Sequence, residues 1–379
     1  MNRLKFVIVI CMAMLVSALW VIGPPLAQAV DEKKIPHYYG PFPNWALSQL
    51  PVITPGACSV TTTTACSTDT GCPSGETCLG VTVSGGIKKF QDGLPGLCDP
   101  AIAGSCEGAK NNLGQYLPLA VPDTTTFTKA AGFADDADYY VIALVQHRER
   151  MSSSLHPSPG PGVGTLLREY VQLQTPANAA ASWNKHIALK NDMPDGTSVP
   201  VLMPDGTPAI AVDDPHYLGP VIAATKDKPV RIVFYNLLPK DSGGNLFLPV
   251  DSTLMGSGMG PMSMMDPMNM GTVDDMVRNP ACTEATKGDN PSCFKDNRAT
   301  IHLHGGISPW ISDGTPHQWI TPANETTPWP EGVSVRTVPD MLGVPGVPNC
   351  SAADDGCMSF YYTNQQSARM MFYHDHSWG

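Results

Sequence analysis

An all-β fold, read as an antiparallel β-sandwich, is predicted by two observations. The 379 residues include 35 glycines and 37 prolines, nearly a fifth of the chain, which favours short strands and long loops over helices. Between the turns stand short segments dominated by β-branched and aromatic residues, several of them alternating. Hydrophobic residues make up 42%, enough to fill a core. The length allows one large domain or two to three smaller ones.

Residues 1–29 read as a signal peptide. "MNRLK" is basic, "FVIVICMAMLVSALWVIG" is apolar, and Ala27-Gln28-Ala29 is a small-x-small cleavage site. The alternative is an uncleaved anchor, since the apolar run is at the short edge of a bilayer span. Ile10 before Cys11 is not small, which argues against a lipoprotein site. The expectation is export to the periplasm, cell surface or medium, without a stable membrane span. Net charge is −11, and removal of Arg3 and Lys5 with the leader makes the remainder more acidic. An acidic chain without basic clusters argues against a nucleic-acid partner.

Residues 30–86 read as a Cys-rich extension, with "GACSVTTTTACSTDTGCPSGETCLG" poor in large apolar residues. Without Cys11 ten cysteines remain, and in an exported chain they read as disulfides. Cys282 with Cys293 and Cys350 with Cys357 each fit a short loop. Pairing among Cys58, Cys66, Cys72, Cys78, Cys98 and Cys106 stays open. A zinc or iron–sulfur site is the rival reading, but no tight C-x2-C is present.

Residues 87–379 carry the strands. The clearest are "DYYVIALVQHRERM" (138–151), "REYVQLQT" (168–175), "KPVRIVFYNLLP" (228–239), "ATIHLHGG" (299–306), "MSFYYTNQ" (358–365) and "ARMMFYHDH" (368–376). Alternation puts Val230, Ile232 and Phe234 on one face and Arg231, Val233 and Tyr235 on the other. The best helical window, a weak one, covers Thr165–Tyr170. A Met-rich insertion, 254–276, holds eight methionines among Gly and Pro. It reads either as a soft Cu(I) ligand source or as a flexible apolar loop.

Two H-x-H pairs carry the chemistry: His302 and His304 in "IHLHGG", His374 and His376 in "FYHDHSWG". On a strand, residues i and i+2 share a face about 6.5 Å apart. Each pair therefore projects two imidazoles from one side, and neighbouring strands would bring all four together. Such a nitrogen set suits Cu, Zn, Fe or Ni. Asp375, between the second pair, is expected to face away. His37, His147, His156, His186 and His216 lack a motif and read as structural or surface residues.

The combination of H-L-H-G-G (302–306), S-D-G (312–314), Y-x-N-Q-Q (362–366) and Y-H-D-H (373–376) resembles the first two copper motifs of the multicopper oxidases. The likeness is to the bacterial branch of spore-coat laccases, bilirubin oxidases and phenoxazinone synthases. Weaker echoes lie in "KKFQDGLPGL" and "GPVIAATKDKPVRIVFYNLLP". The resemblance spans about 87–379 and implies the N-terminal, cupredoxin-like (plastocyanin-like) Greek-key β-sandwich domain of such an oxidase. It further implies that His302 binds the type 2 copper of a trinuclear cluster and that His304, His374 and His376 bind its type 3 pair. Asp313 would be an acid beside the cluster, with a turn-forming Asp as its plainer reading. His317 departs from the pattern and is expected to be a spectator.

The resemblance covers four of the family's ligands. The sequence contains neither H-x-x-H-x-H nor H-C-H-x3-H, so a type 1 copper thiolate is not encoded in it. The expectation is a segment of a laccase-like oxidase, inactive by itself. Its partners would be the remaining cupredoxin domains, O2, and a phenolic or metal-ion electron donor. Two other readings stay open: a non-catalytic exported copper-binding protein, and a zinc or manganese hydrolase. The last would want a carboxylate ligand and a general base.

Overall fold

The structure, a computed structural model, describes residues 52–61, 64–66, 71–79, 82–84, 90–99, 102–155, 164–179, 186–248, 293–352 and 354–378. The leader, the Met-rich insertion, Cys282, His37 and His156 lie outside the described residues. Among those described, no helix is long and apolar enough to cross a membrane. Strands far outnumber helices, as the composition predicts.

The central sheet has four strands: β1 (Asp138–Glu149), β2 (Thr165–Gln172), β3 (Val230–Asn236) and β4 (Cys357–Tyr362), in the order β4-β3-β1-β2. β3 pairs antiparallel with β4, and β1 pairs antiparallel with β2. The middle pair, β1 with β3, is parallel, with Val230 opposite Asp138 and Val233 opposite Val141. This corrects the antiparallel expectation. Alternation decides which face a side chain takes but is blind to strand direction.

Both faces of this sheet are buried, and the alternation predicted for β3 sorts them. Val230, Ile232 and Phe234 join Tyr140, Ile142, Leu144, Phe360 and Tyr362 in one core. Val233 and Tyr235 join Tyr139, Val141, Ala143 and Val145 in the other. Arg231 also faces this second core. Its guanidinium lies 4.7 Å from the ring centroids of Phe127 and of Tyr361, and both terminal nitrogens donate to Asp340. The fork satisfies a charge that burial would otherwise penalise.

The helical window at 165–170 is overturned, because these residues are β2. Leu166 and Val171 are buried, and eight residues pair with β1. A long-range ladder and two cores outweigh a weak local preference.

The segments at 299–306 and 368–376 form shorter strands than expected: β5 (His302–Leu303) and β6 (Tyr373–His374). Gly305 adopts a left-handed φ of 76°, and the Gly306 N–H closes a turn onto the Leu303 carbonyl. That turn ends the strand. Leu303 and Tyr373 pack on the first core, so the β5/β6 pair rides on that face of the sheet.

Near the N-terminal side, Gly56–Cys58 pairs with Ala65–Cys66 and Cys78–Leu79, and Val52–Thr54 pairs with Thr82–Ser84. Disulfides join Cys58 to Cys72, Cys66 to Cys78, Cys98 to Cys106 and Cys350 to Cys357. The last is the pairing expected from its short loop. Cys293 is disulfide-bonded as well.

Candidate metal centre

β5 and β6 run antiparallel with His302 directly opposite His374. A further hydrogen bond from His304 N to Phe372 O extends the contact by a residue. Because i and i+2 share a face, this register brings all four predicted histidines together. Ring centroids are 5.4 Å apart for His302 and His374, 5.4 Å for His304 and His374, and 5.6 Å for His374 and His376. His376 stacks on His302 at 4.6 Å. One ligand nitrogen from each of His302, His304 and His374 lies within 4.8 Å of the other two.

Three of the rings are oriented by main-chain carbonyls. Nδ1 of His302 meets the Asp313 carbonyl, Nδ1 of His374 meets the Asp375 carbonyl at 2.6 Å, and Nδ1 of His376 meets the Gly314 carbonyl at 3.0 Å. A carbonyl can only accept, so each Nδ1 carries a proton, and Nε2 is the nitrogen left to act as a ligand in the neutral ring. This is how metal-binding imidazoles are held. His304 Nδ1 lies 3.2 Å from His374 Nε2, so with the His374 proton on Nδ1 it is His304 Nδ1–H that donates. The set is half-buried, with His304 exposed and stacked on Phe372 at 4.5 Å.

The turn at 312–314 supplies two of those carbonyls. Gly314 has φ 65°, and a Cβ there would lie 2.0 Å from the Ile301 carbonyl oxygen. Only glycine lets this turn press against β5. Its N–H donates to Oε1 of the fully buried Gln318, at 2.9 Å. Asp313 therefore reaches the site through its backbone. Its carboxylate stands 3.8 Å from His302 Nδ1 and is partly exposed.

Asp375 accepts from Thr300 N at 2.9 Å and from the Ser377 hydroxyl at 2.8 Å, bonds that occupy it outside the ring cluster. His317 packs edge-on against Trp378 at 5.0 Å and stays outside the four rings. Beside the site stand two partly buried phenols. Tyr373 donates to the Pro220 carbonyl at 2.6 Å and Tyr170 to the Thr300 carbonyl at 2.8 Å. Burial raises the pKa of both phenols, so they stay neutral donors: Tyr170 ties Thr300, two residues before β5, to β2, and Tyr373 ties β6 to the loop at Pro220.

His216, expected to be a structural or surface residue, is buried and held by a carboxylate. His216 Nδ1 lies 3.0 Å from Glu149 Oε1, and the Tyr217 N–H donates to Glu149 Oε2 at 2.6 Å. The residues lie 67 apart in sequence, and no local motif links them. His147 is partly buried beside Asp192, whereas His186 is exposed.

No model of a known protein family matches the chain, and no curated protein matches it.

Proposed function

We propose that this chain supplies four imidazoles, those of His302, His304, His374 and His376, to a copper centre of the multicopper oxidase kind. The observation that carries the proposal is the convergence of the four rings, with three Nδ1 atoms held on carbonyls. A cluster of neutral imidazoles suits copper better than hard cations that prefer oxygen. Copper bound there would take electrons singly and pass them to dioxygen. The chain's own part is to fix the tautomers, hold the rings in place and keep Asp375 out of the ligand set. The remaining ligands, and the type 1 copper that receives electrons from a phenolic or metal-ion donor, would come from cupredoxin domains outside this sequence. The disulfides suit an oxidising compartment, in keeping with export. The positions Asp313 and Gly314 contribute through their carbonyls.

The test is copper loading of the purified chain, read by metal analysis and electron paramagnetic resonance. Copper retained by the native chain and lost when the four histidines become glutamine supports the reading. An intense blue band near 600 nm, or robust phenol oxidation by this chain alone, would count against it. Stable copper binding that never supports oxygen reduction, even with the complementary domains supplied, would favour a copper carrier.

A further inference from the structure

One buried side chain grips the turn that orients His302. Gln318 is fully buried, and both ends of its amide are engaged. Its Oε1 accepts from Gly314 N–H at 2.9 Å. Its Nε2 donates to the carbonyls of Ile311 and Val335. Two carbonyls can only accept, so the nitrogen must face them and the oxygen must face Gly314. Ser312, also buried, accepts from Tyr361 N–H at 2.8 Å and pins the same turn to β4.

The peptide group between Asp313 and Gly314 is therefore bonded at both ends. Its N–H is the one that Gln318 accepts, and its carbonyl is the one that meets Nδ1 of His302. Hydrogen bonds in a chain polarise one another, so an engaged N–H makes the oxygen of the same peptide a better acceptor. A buried N–H stripped of its acceptor is costly. Relief by rotating this peptide would turn its carbonyl away from His302. The other rings are held differently. His376 uses the next carbonyl, that of Gly314, and His374 uses that of Asp375, outside the turn.

We propose that Gln318 is the positioning residue of His302. Acting through the Asp313–Gly314 peptide, it holds the ring proton on Nδ1 and leaves Nε2 to act as the ligand. Gln318 lies outside the S-D-G segment at 312–314, and it works on the ring through main-chain atoms alone. Control of the tautomer belongs to the metal-free chain. Only the consequence for copper rests on the proposed function.

The test reads the imidazoles of the metal-free full chain by proton–nitrogen-15 spectra near neutral pH. His302 of the native chain should carry its proton on Nδ1. Gln318→Met, similar in volume but without the amide, should raise the Nε2–H form of His302 at least about 3-fold and leave His374 as it was. Gln318→Glu keeps an oxygen acceptor for Gly314 N–H and should keep the native form. Circular dichroism checks that each variant folds. Should Gln318→Met fail to fold, couplings across hydrogen bonds in the native chain decide, from Gly314 N–H to Gln318 and from His302 Nδ1–H to Asp313. Copper, competed against a chelator, should bind Gln318→Met about 10-fold more weakly. A native chain that binds no copper would refute the proposed function and leave the ring spectra to decide Gln318. An unmoved His302, an equal movement of His374, the same loss in both variants, a missing coupling, or unchanged affinity in a chain that does bind copper would each overturn the proposal.

Discussion

His302 and His374 are direct cross-strand partners, and their ring centroids meet at 5.4 Å. Residues that share one occupant should not behave independently. Changing either to glutamine is expected to lower copper affinity at least ~10-fold. The double variant should lose less than the sum of the two singles. Competition titrations against a chromophoric chelator measure all three. Strict additivity would mean that the two rings do not serve one site.

Gly314→Ala should damage folding and loading together. The left-handed backbone alone costs an alanine about 1–2 kcal/mol, and its Cβ would collide with the Ile301 carbonyl. Relief of that clash must move the carbonyls that orient His302 and His376. Thermal unfolding should fall by at least about 2 kcal/mol. Copper retention should drop in the fraction that remains folded. A folded variant with normal retention would show that the turn does not set the rings.

Glu169 is a buried carboxyl on β2 whose oxygens have no hydrogen-bond partner. Burial, reinforced by Glu149 and Asp192, pushes its pKa up to about 9 from an ordinary 4.5. The folded state therefore keeps a proton that the unfolded state releases, and stability must fall as pH rises from about 4.5 to about 9. Glu169→Gln removes that slope. The variant should match the native chain near pH 4 and exceed it at pH 7 by on the order of 2–3 kcal/mol. Urea unfolding at the two values decides. An equal gain at both would place the effect in packing rather than titration.

Arg231→Lys should destabilise the fold without touching the four-histidine cluster. Lysine cannot reproduce the forked bond to Asp340 or stack on Phe127 and Tyr361. A loss of about 2 kcal/mol is expected. Copper affinity should be unchanged, because Arg231 faces the core on the other side of the sheet from β5 and β6. A parallel loss of affinity would show that the two faces are coupled.

The parts legible in the sequence were those governed by local spacing. Two-residue periodicity sorted Val230 through Tyr235 between two cores, and the same rule gathered four histidines from two H-x-H pairs. A seven-residue separation announced Cys350–Cys357. What stayed hidden depends on distant partners or on backbone atoms. Nothing in the composition of β1 and β3 states that they run parallel. The carbonyls of Asp313 and Gly314 have no side-chain signature, so Asp313 drew notice for a carboxylate while its peptide oxygen makes the contact. The partner of His216 had no local signal because Glu149, which holds it, lies on β1, 67 residues away.

Tyr373 ties to Pro220 across 153 residues, and His304 meets His374 across 70. In an unfolded chain these groups are remote, and closing such loops is an entropic burden that no single ion is needed to carry. Apolar packing of Leu303 and Tyr373, with carbonyls that aim the imidazoles, completes the assembly from polypeptide alone. If the proposal holds, an arriving metal would meet four imidazoles that the fold has already gathered, and these rings would help to select it rather than be recruited by it.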